Sequence, residues 1–167
     1  RLGIQRVLCH TEKAAAYMAD GYARVAHRPG VAMAQSVGAA NLAAGLQDAY
    51  LGRAPVLAIT GRRPTIQRYR DGYQEVNHWP LFDPVTKYNV YADAANDLPV
   101  VLRQAFREMT SGAPAPAHVE LLGFTAEMVE TDEAEMNVVV EEAFTSYPAF
   151  RPEPDPEAIR AAARVLE

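Results

Sequence analysis

The sequence predicts an α/β domain over residues 1–123, a parallel sheet flanked by helices. Two patterns predict it. Five short apolar runs lack strict alternation and are bounded by turn residues, as strands buried on both faces are. Most are separated by segments with helical spacing, so that strand and helix alternate. Composition agrees: of 167 residues, 49% are apolar and 22% charged, the balance of an ordinary folded chain of about one domain.

In chain order, Arg6 to Cys9 reads as the first strand. Thr11 can cap a helix from Glu12 to about Ala26, with a carboxylate in the first turn where the helix dipole favours it. Val31 to Gln35 is the second strand. Asn41 to Leu51 is a helix with Leu42, Leu46 and Tyr50 on one face, and Val56 to Thr60 is the third strand. Tyr88 to Ala92 and His118 to Leu122 are the last two strands. Between them Asp97 to Met109 carries Leu98, Val101, Leu102, Ala105 and Phe106, a 3.6-residue stripe that stops at Ser111-Gly112. Because the chain opens directly on a strand, the domain is expected to be incomplete at its N-terminus.

Residues 124–154 read as an acidic and Pro-rich linker. Glu127 to Glu142 holds seven carboxylates and no basic residue, and Tyr147 to Pro156 holds four prolines. Residues 155–167, with Asp155 as cap and Pro156 in the first helical position, are expected to be the first helix of a second domain.

Apolar runs such as Ala14 to Ala19 are too short to span a bilayer, and nothing at the start resembles a signal peptide. Cys9 is the single cysteine, which excludes an internal disulfide and suits a reducing compartment, so a cytoplasmic protein is expected. A net charge of −5 argues against nucleic acid as partner. There is no metal-ligand spacing, no G-x-S-x-G elbow, no phosphate loop, and no G-x-G-x-x-G after a strand. No metal site is therefore expected in this chain, and a dinucleotide-binding reading is disfavoured. His10, His27, His78 and His118 are scattered and read as structural or solvent-facing.

Three strand exits carry candidate chemistry. Glu12 follows one strand and opens a helix, at the sheet edge where α/β domains bind ligands; it could equally be an ordinary first-turn carboxylate worth about 0.3–1 kcal/mol. Gln35 to Asn41 is a second exit, whose small residues admit a ligand to the backbone or merely make a tight turn. Gly61 to Glu75 is the third. Its Arg62, Arg63, Arg68 and Arg70 could hold an anion or simply line a solvated loop.

These segments resemble a family. His10-Thr11-Glu12-Lys13-Ala14-Ala15 and Ala19-Asp20-Gly21-Tyr22-Ala23-Arg24 are similar to the H-E-x-x-A…A-D-G-Y-A-R segment of thiamine-diphosphate enzymes of the acetolactate synthase type. Ser36-Val37-Gly38-Ala39-Ala40-Asn41-Leu42 resembles S-G-P-G-A-T-N-L, and Pro55 to Gly61 resembles P-x-x-x-I-T-G. Tyr73-Gln74-Glu75 resembles F-Q-E, Val85 to Asn89 resembles x-T-K-x-N, and Leu98 to Leu122 the following helix and strand.

The resemblance, over about residues 6–123, implies a pyrimidine-binding domain. Glu12 matches the glutamate that bonds N1′ of the cofactor's aminopyrimidine, favouring the imino tautomer whose N4′ deprotonates C2 of the thiazolium. Gln35, Asn41 and Gln74 would line the same pocket. The resemblance further implies a lyase or transferase acting on a small 2-oxo acid, a homodimer or homotetramer, and Mg2+ held through a domain not present in this chain. Flavin is left open. It also implies an apolar patch for self-association, expected around Ala40 to Tyr50 and Trp79 to Phe82. Two departures stand out: the Ser36 turn is one residue shorter than the family's, and Thr11 separates His10 from Glu12. The shorter turn and the absence of a G-D-G…N motif leave room for the alternative of a non-catalytic α/β scaffold that kept the fold and binds a partner.

Overall fold

The structure is a computed structural model that describes residues 3–64, 66, 69–123 and 140–166. Its elements are α1 (Glu12–Ala26), β1 (Gly30–Gln35), α2 (Gly38–Leu51), β2 (Val56–Arg62), the short α3 (Trp79–Phe82), β3 (Tyr88–Ala92), α4 (Leu98–Thr110), β4 (Ala117–Leu122) and α5 (Pro156–Leu166). The four strands are all parallel, in the order β1–β2–β4–β3. The α/β class is thus as the sequence predicts.

Period-2 alternation divides the core. Ala32, Val56 and Ala58 face α1 and α2, whose Ala16, Ala19, Ala23, Leu42, Leu46 and Ala49 bury against them. Leu57, Val119 and Leu121 point the other way, onto Leu98, Val101, Ala105 and Met109 of α4. α1 and α2 lie close because Gly45 has no side chain: a Cβ there would stand 2.6 Å from that of Ala16. Thr11 caps α1 as expected, its hydroxyl accepting from Ala14 N at 3.2 Å.

Two expectations are corrected. Arg6 to Cys9 is not a strand; it pairs with no described strand, and Leu8 is 99% exposed. An apolar run forms a strand only where a neighbour takes up its backbone groups, and none of the four strands pairs with this one. The apolar surface lies only partly where expected, at Trp79, which is 38% exposed. Leu42, Leu46, Ala49 and Phe82 are buried, because α2 packs on both α1 and the sheet, whereas Met18, Tyr22, Val25, Val31 and Met33 are exposed.

Residues 124–139 of the expected linker lie outside the described residues. Beyond them, residues 141–149 rest on the domain. Glu141 pairs with Arg103 and Arg107 of α4, Tyr147 N donates to His27 O at 3.1 Å, and Ala149 N donates to Thr110 O at 3.0 Å. α5 is exposed along its described length, and Asp155 Oδ1 accepts from Glu157 N at 2.9 Å at its start. Among the described residues no helix is long and apolar enough to cross a membrane.

The hydrogen bonds from Arg103 and then Arg107 hold the Glu141 carboxyl down from 4.5 to about 2. A depressed carboxylate steadies the fold above its ordinary pKa and loses that effect as pH falls through the folded value. Docking of 141–149 should therefore persist at neutral pH, weaken between 4.5 and about 2, and be screened by salt because the pair is exposed. Glu141→Gln should make this segment more accessible to limited proteolysis at neutral pH than in the parent.

Candidate functional site

Glu12 begins α1 beside the carboxyl ends of β1 and β2, where the chain turns from β1 into α2. Its carboxylate is partly buried and lies against that turn: Asn41 Nδ2 donates to Oε2 at 3.2 Å. A Cβ on Gly38 would come 2.6 Å from Oε1, so only glycine lets the backbone approach this close. Glu12 and Asn41, nominated separately by the sequence, therefore meet.

Gln35 and Gln74 flank the same turn. Gln35 ends β1, exposed, opposite Gly61. Gln74 takes part through its backbone, since Ser36 Oγ donates to its carbonyl; its side-chain amide donates to Tyr73 Oη at 3.1 Å. Among the described residues neither side chain hydrogen-bonds Glu12.

The arginines of the third exit part company. Arg62 is buried and pairs with Asp93 and, through Nε at 3.4 Å, with Glu120, while Arg63 donates to the Tyr73 carbonyl. Arg70 is exposed, and Arg68 lies outside the described residues. Arg62, Glu120, Ser36, His78, Trp79 and Tyr91 are among the residues lining a cavity of about 520 Å³ at this sheet edge.

Sequence reasoning missed the buried polar row beneath that cavity. Parallel register sets Thr60 opposite Glu120, Ala58 opposite His118, and His118 opposite Asn89. Their shared parity puts Thr60, Arg62, His118, Glu120 and Asn89 on one face. His78, just before α3, joins them: its Nδ1 lies 2.6 Å from Glu120 Oε1, and its Nε2 lies 2.9 Å from Ser36 O. Thr60 Oγ1 lies 2.7 Å from His118 Nε2, and His118 Nδ1 lies 2.8 Å from Asn89 Oδ1. Polar residues at alternate positions of otherwise apolar strands were the signal. Among the described residues no group of three or more His, Cys, Asp or Glu could hold a metal ion.

The fold is an α/β domain, and the contact of Glu12 with Gly38 lies at the carboxyl edge of its parallel sheet, the edge where such domains bind ligands. Residues 1–81 match the family described as thiamine pyrophosphate enzyme, N-terminal TPP binding domain. A probable acetolactate synthase large subunit of Methanocaldococcus jannaschii is 40% identical over 116 residues, 69% of this chain and 20% of that protein. Acetolactate synthase isozyme 1 large subunit of Escherichia coli is 36% identical over 119 residues, 71% and 21% respectively. The acetolactate synthase large subunit of Lactococcus lactis is 32% identical over 139 residues, 81% and 24%. The chain belongs to the thiamine pyrophosphate enzymes, as an N-terminal domain of the acetolactate synthase-like type. It spans about a fifth of the length of these relatives. The scaffold alternative is not favoured by these matches.

Burial, and secondarily the charge of His78, lowers His118 from 6.5 to about 3, so it is neutral in the fold. Such a group favours folding fully above 6.5 and progressively less as pH falls toward about 3. The slope approaches at most about 1.4 kcal/mol per pH unit. In denaturant unfolding, His118→Gln should flatten the dependence of stability on pH below 6.5 relative to the parent. An unchanged slope would show that this histidine is not the titrating group.

Proposed function

We propose that this chain forms the pyrimidine-binding part of a thiamine-diphosphate-dependent enzyme that makes or breaks C–C bonds of small 2-oxo acids. The observation that carries this reading is the Glu12 carboxyl, held between Asn41 Nδ2 and the bare backbone at Gly38. That arrangement suits an aminopyrimidine: the carboxyl, seated against the glycine and bonded by Asn41, can hold a proton at a ring nitrogen.

Thiamine diphosphate, when bound, supplies the carbanion stabilisation that such chemistry requires. Glu12 would hold and lend the proton at N1′. Asn41 would orient the Glu12 carboxyl, and Gln35 and Gln74 would border the pocket through the Ser36 turn. Mg2+ would bind the diphosphate through a domain beyond this chain, in a cytoplasmic homodimer or homotetramer. Transferase chemistry of the acetolactate synthase kind is the favoured activity, by likeness to the acetolactate synthases named above. The 167 residues alone are expected to be inactive, because their sequence carries no acidic metal motif to anchor the diphosphate.

Glu12→Gln in the complete enzyme should slow C2-proton exchange of bound thiamine diphosphate by about 10²-fold or more, the scale of a lost general acid–base group. Exchange as fast as in the parent would overturn the assignment. 2-Oxo acid turnover by the isolated 167 residues would overturn the expected inactivity.

A further inference from the structure

The buried polar row is one continuous hydrogen-bond chain with a backbone carbonyl at each end. At one end Asn89 Nδ2 donates to Trp79 O at 3.2 Å, which turns Asn89 Oδ1 toward His118. His118 Nδ1 must then carry a proton, leaving Nε2 to accept from the Thr60 hydroxyl. With its proton committed, Thr60 Oγ1 can only accept from His78 Nδ1, 3.3 Å away. At the other end His78 Nε2 faces Ser36 O at 2.9 Å, and a carbonyl only accepts. A chain bounded by two acceptors holds one proton more than its neutral members supply. That proton falls on His78, the member with the Glu120 carboxylate beside it at 2.6 Å. His78 and Glu120 are 1% and 2% exposed, so this charge pair is buried.

What the imidazolium holds is the turn that meets Glu12. Ser36 has φ 42°, in the left-handed region that a serine enters only at a cost. Its carbonyl is gripped by His78 and its hydroxyl by the Gln74 carbonyl; two residues on, Gly38 abuts the Glu12 carboxylate, and Asn41 hydrogen-bonds it. We propose that His78 is a positioning residue for the glutamate site: its doubly protonated ring, paired with Glu120, clamps the Ser36 carbonyl and fixes the Gly38–Asn41 turn against Glu12. This rests on Glu12 being the functional carboxylate, but the clamp can be tested without the cofactor.

The test is hydrogen–deuterium exchange by mass spectrometry on the complete, cofactor-free protein, comparing His78→Asn with His78→Gln. A glutamine amide reaches the place of Nε2 and can still donate to Ser36 O; an asparagine amide reaches only the place of Nδ1. In His78→Asn, peptides spanning residues 36–42 should exchange at least about tenfold faster than in the parent, with α4 peptides unchanged. His78→Gln should stay within about twofold of the parent. Unchanged protection in His78→Asn, or equal loss in both variants, would overturn the clamp. Should His78→Asn not fold, the parent decides: exchange at the imidazole C2 of His78 should be at least about tenfold slower than at exposed His10, and equal rates would overturn the proposal. If Glu12→Gln leaves C2 exchange of the cofactor unchanged while His78→Asn loosens residues 36–42, the cofactor reading fails and the clamp stands.

Discussion

Parallel pairing of β2 between β1 and β4 is the constraint on which the rest of the molecule depends. It runs Gln35 beside Gly61 and Arg62 beside Leu122, so the exits of three strands lie along one edge. α1 brings Glu12 to the same edge, because its alanine face packs on β1 and β2 and its glycine-permitted contact with α2 sets its height. The register also fixes side-chain parity, which turns separate polar residues of β2, β3 and β4 into one buried row. A slip of one residue would move Thr60, Arg62, His118 and Glu120 to the α4 face and place Leu57 and Val119 among α1 and α2.

That row is costly. Removing a charge from water carries a penalty of several kcal/mol per ion, and apolar residues of similar volume often stabilise a fold as well as a buried ion pair does. Arg62, Glu120 and His78 are therefore poor candidates for mere stabilisers. They are tolerated because each has a partner: Arg62 has Asp93 and Glu120, Glu120 has His78, and His118 stacks on Phe82 at 3.6 Å. Such a network gains direction where an apolar core would give only volume. His78 Nδ1 faces both Thr60 Oγ1 and the Glu120 carboxylate, and the chain ends on the carbonyl of Ser36.

The fold was legible wherever local pattern and tertiary packing coincide. The helix over 12–26 showed in its Thr11 cap and its alanine-rich buried face, and α4 in its apolar stripe. Arg6 to Cys9 misled because apolar content marks a candidate strand but does not supply a neighbour to pair with. In the site, Glu12 was legible as the first-turn carboxylate of a capped helix, and Asn41 as part of the turn from β1 into α2. His78 was not. It lies outside any regular element in sequence pattern, and its partners come from β2, β4 and the Ser36 turn, 18, 42 and 42 residues away in the chain respectively. Such contacts depend on strand order, which no short motif encodes. Arg62 was noticed for its charge but read as facing solvent or an anion, whereas parity buries it.

The shortened turn after β1 acquires a physical meaning in this light. Where the related motif reads S-G-P-G, this chain has Ser36-Val37-Gly38, one residue fewer and one glycine poorer. The turn still needs a left-handed residue to bring Gly38 onto Glu12, and it falls to Ser36. A serine in that region costs on the order of 1–2 kcal/mol, which would favour relaxation of the turn away from the carboxylate. Val37 offers no capping side chain to the start of α2. The restraint therefore has to come from outside the segment, and it comes from both sides: the His78 imidazole on the Ser36 carbonyl and the Gln74 carbonyl on its hydroxyl. Gln74 is itself held at φ 59°, so two strained residues brace one another across the turn. The departure that left a scaffold reading open from the sequence is thus compensated in the fold, by residues that serve the turn and through it the glutamate.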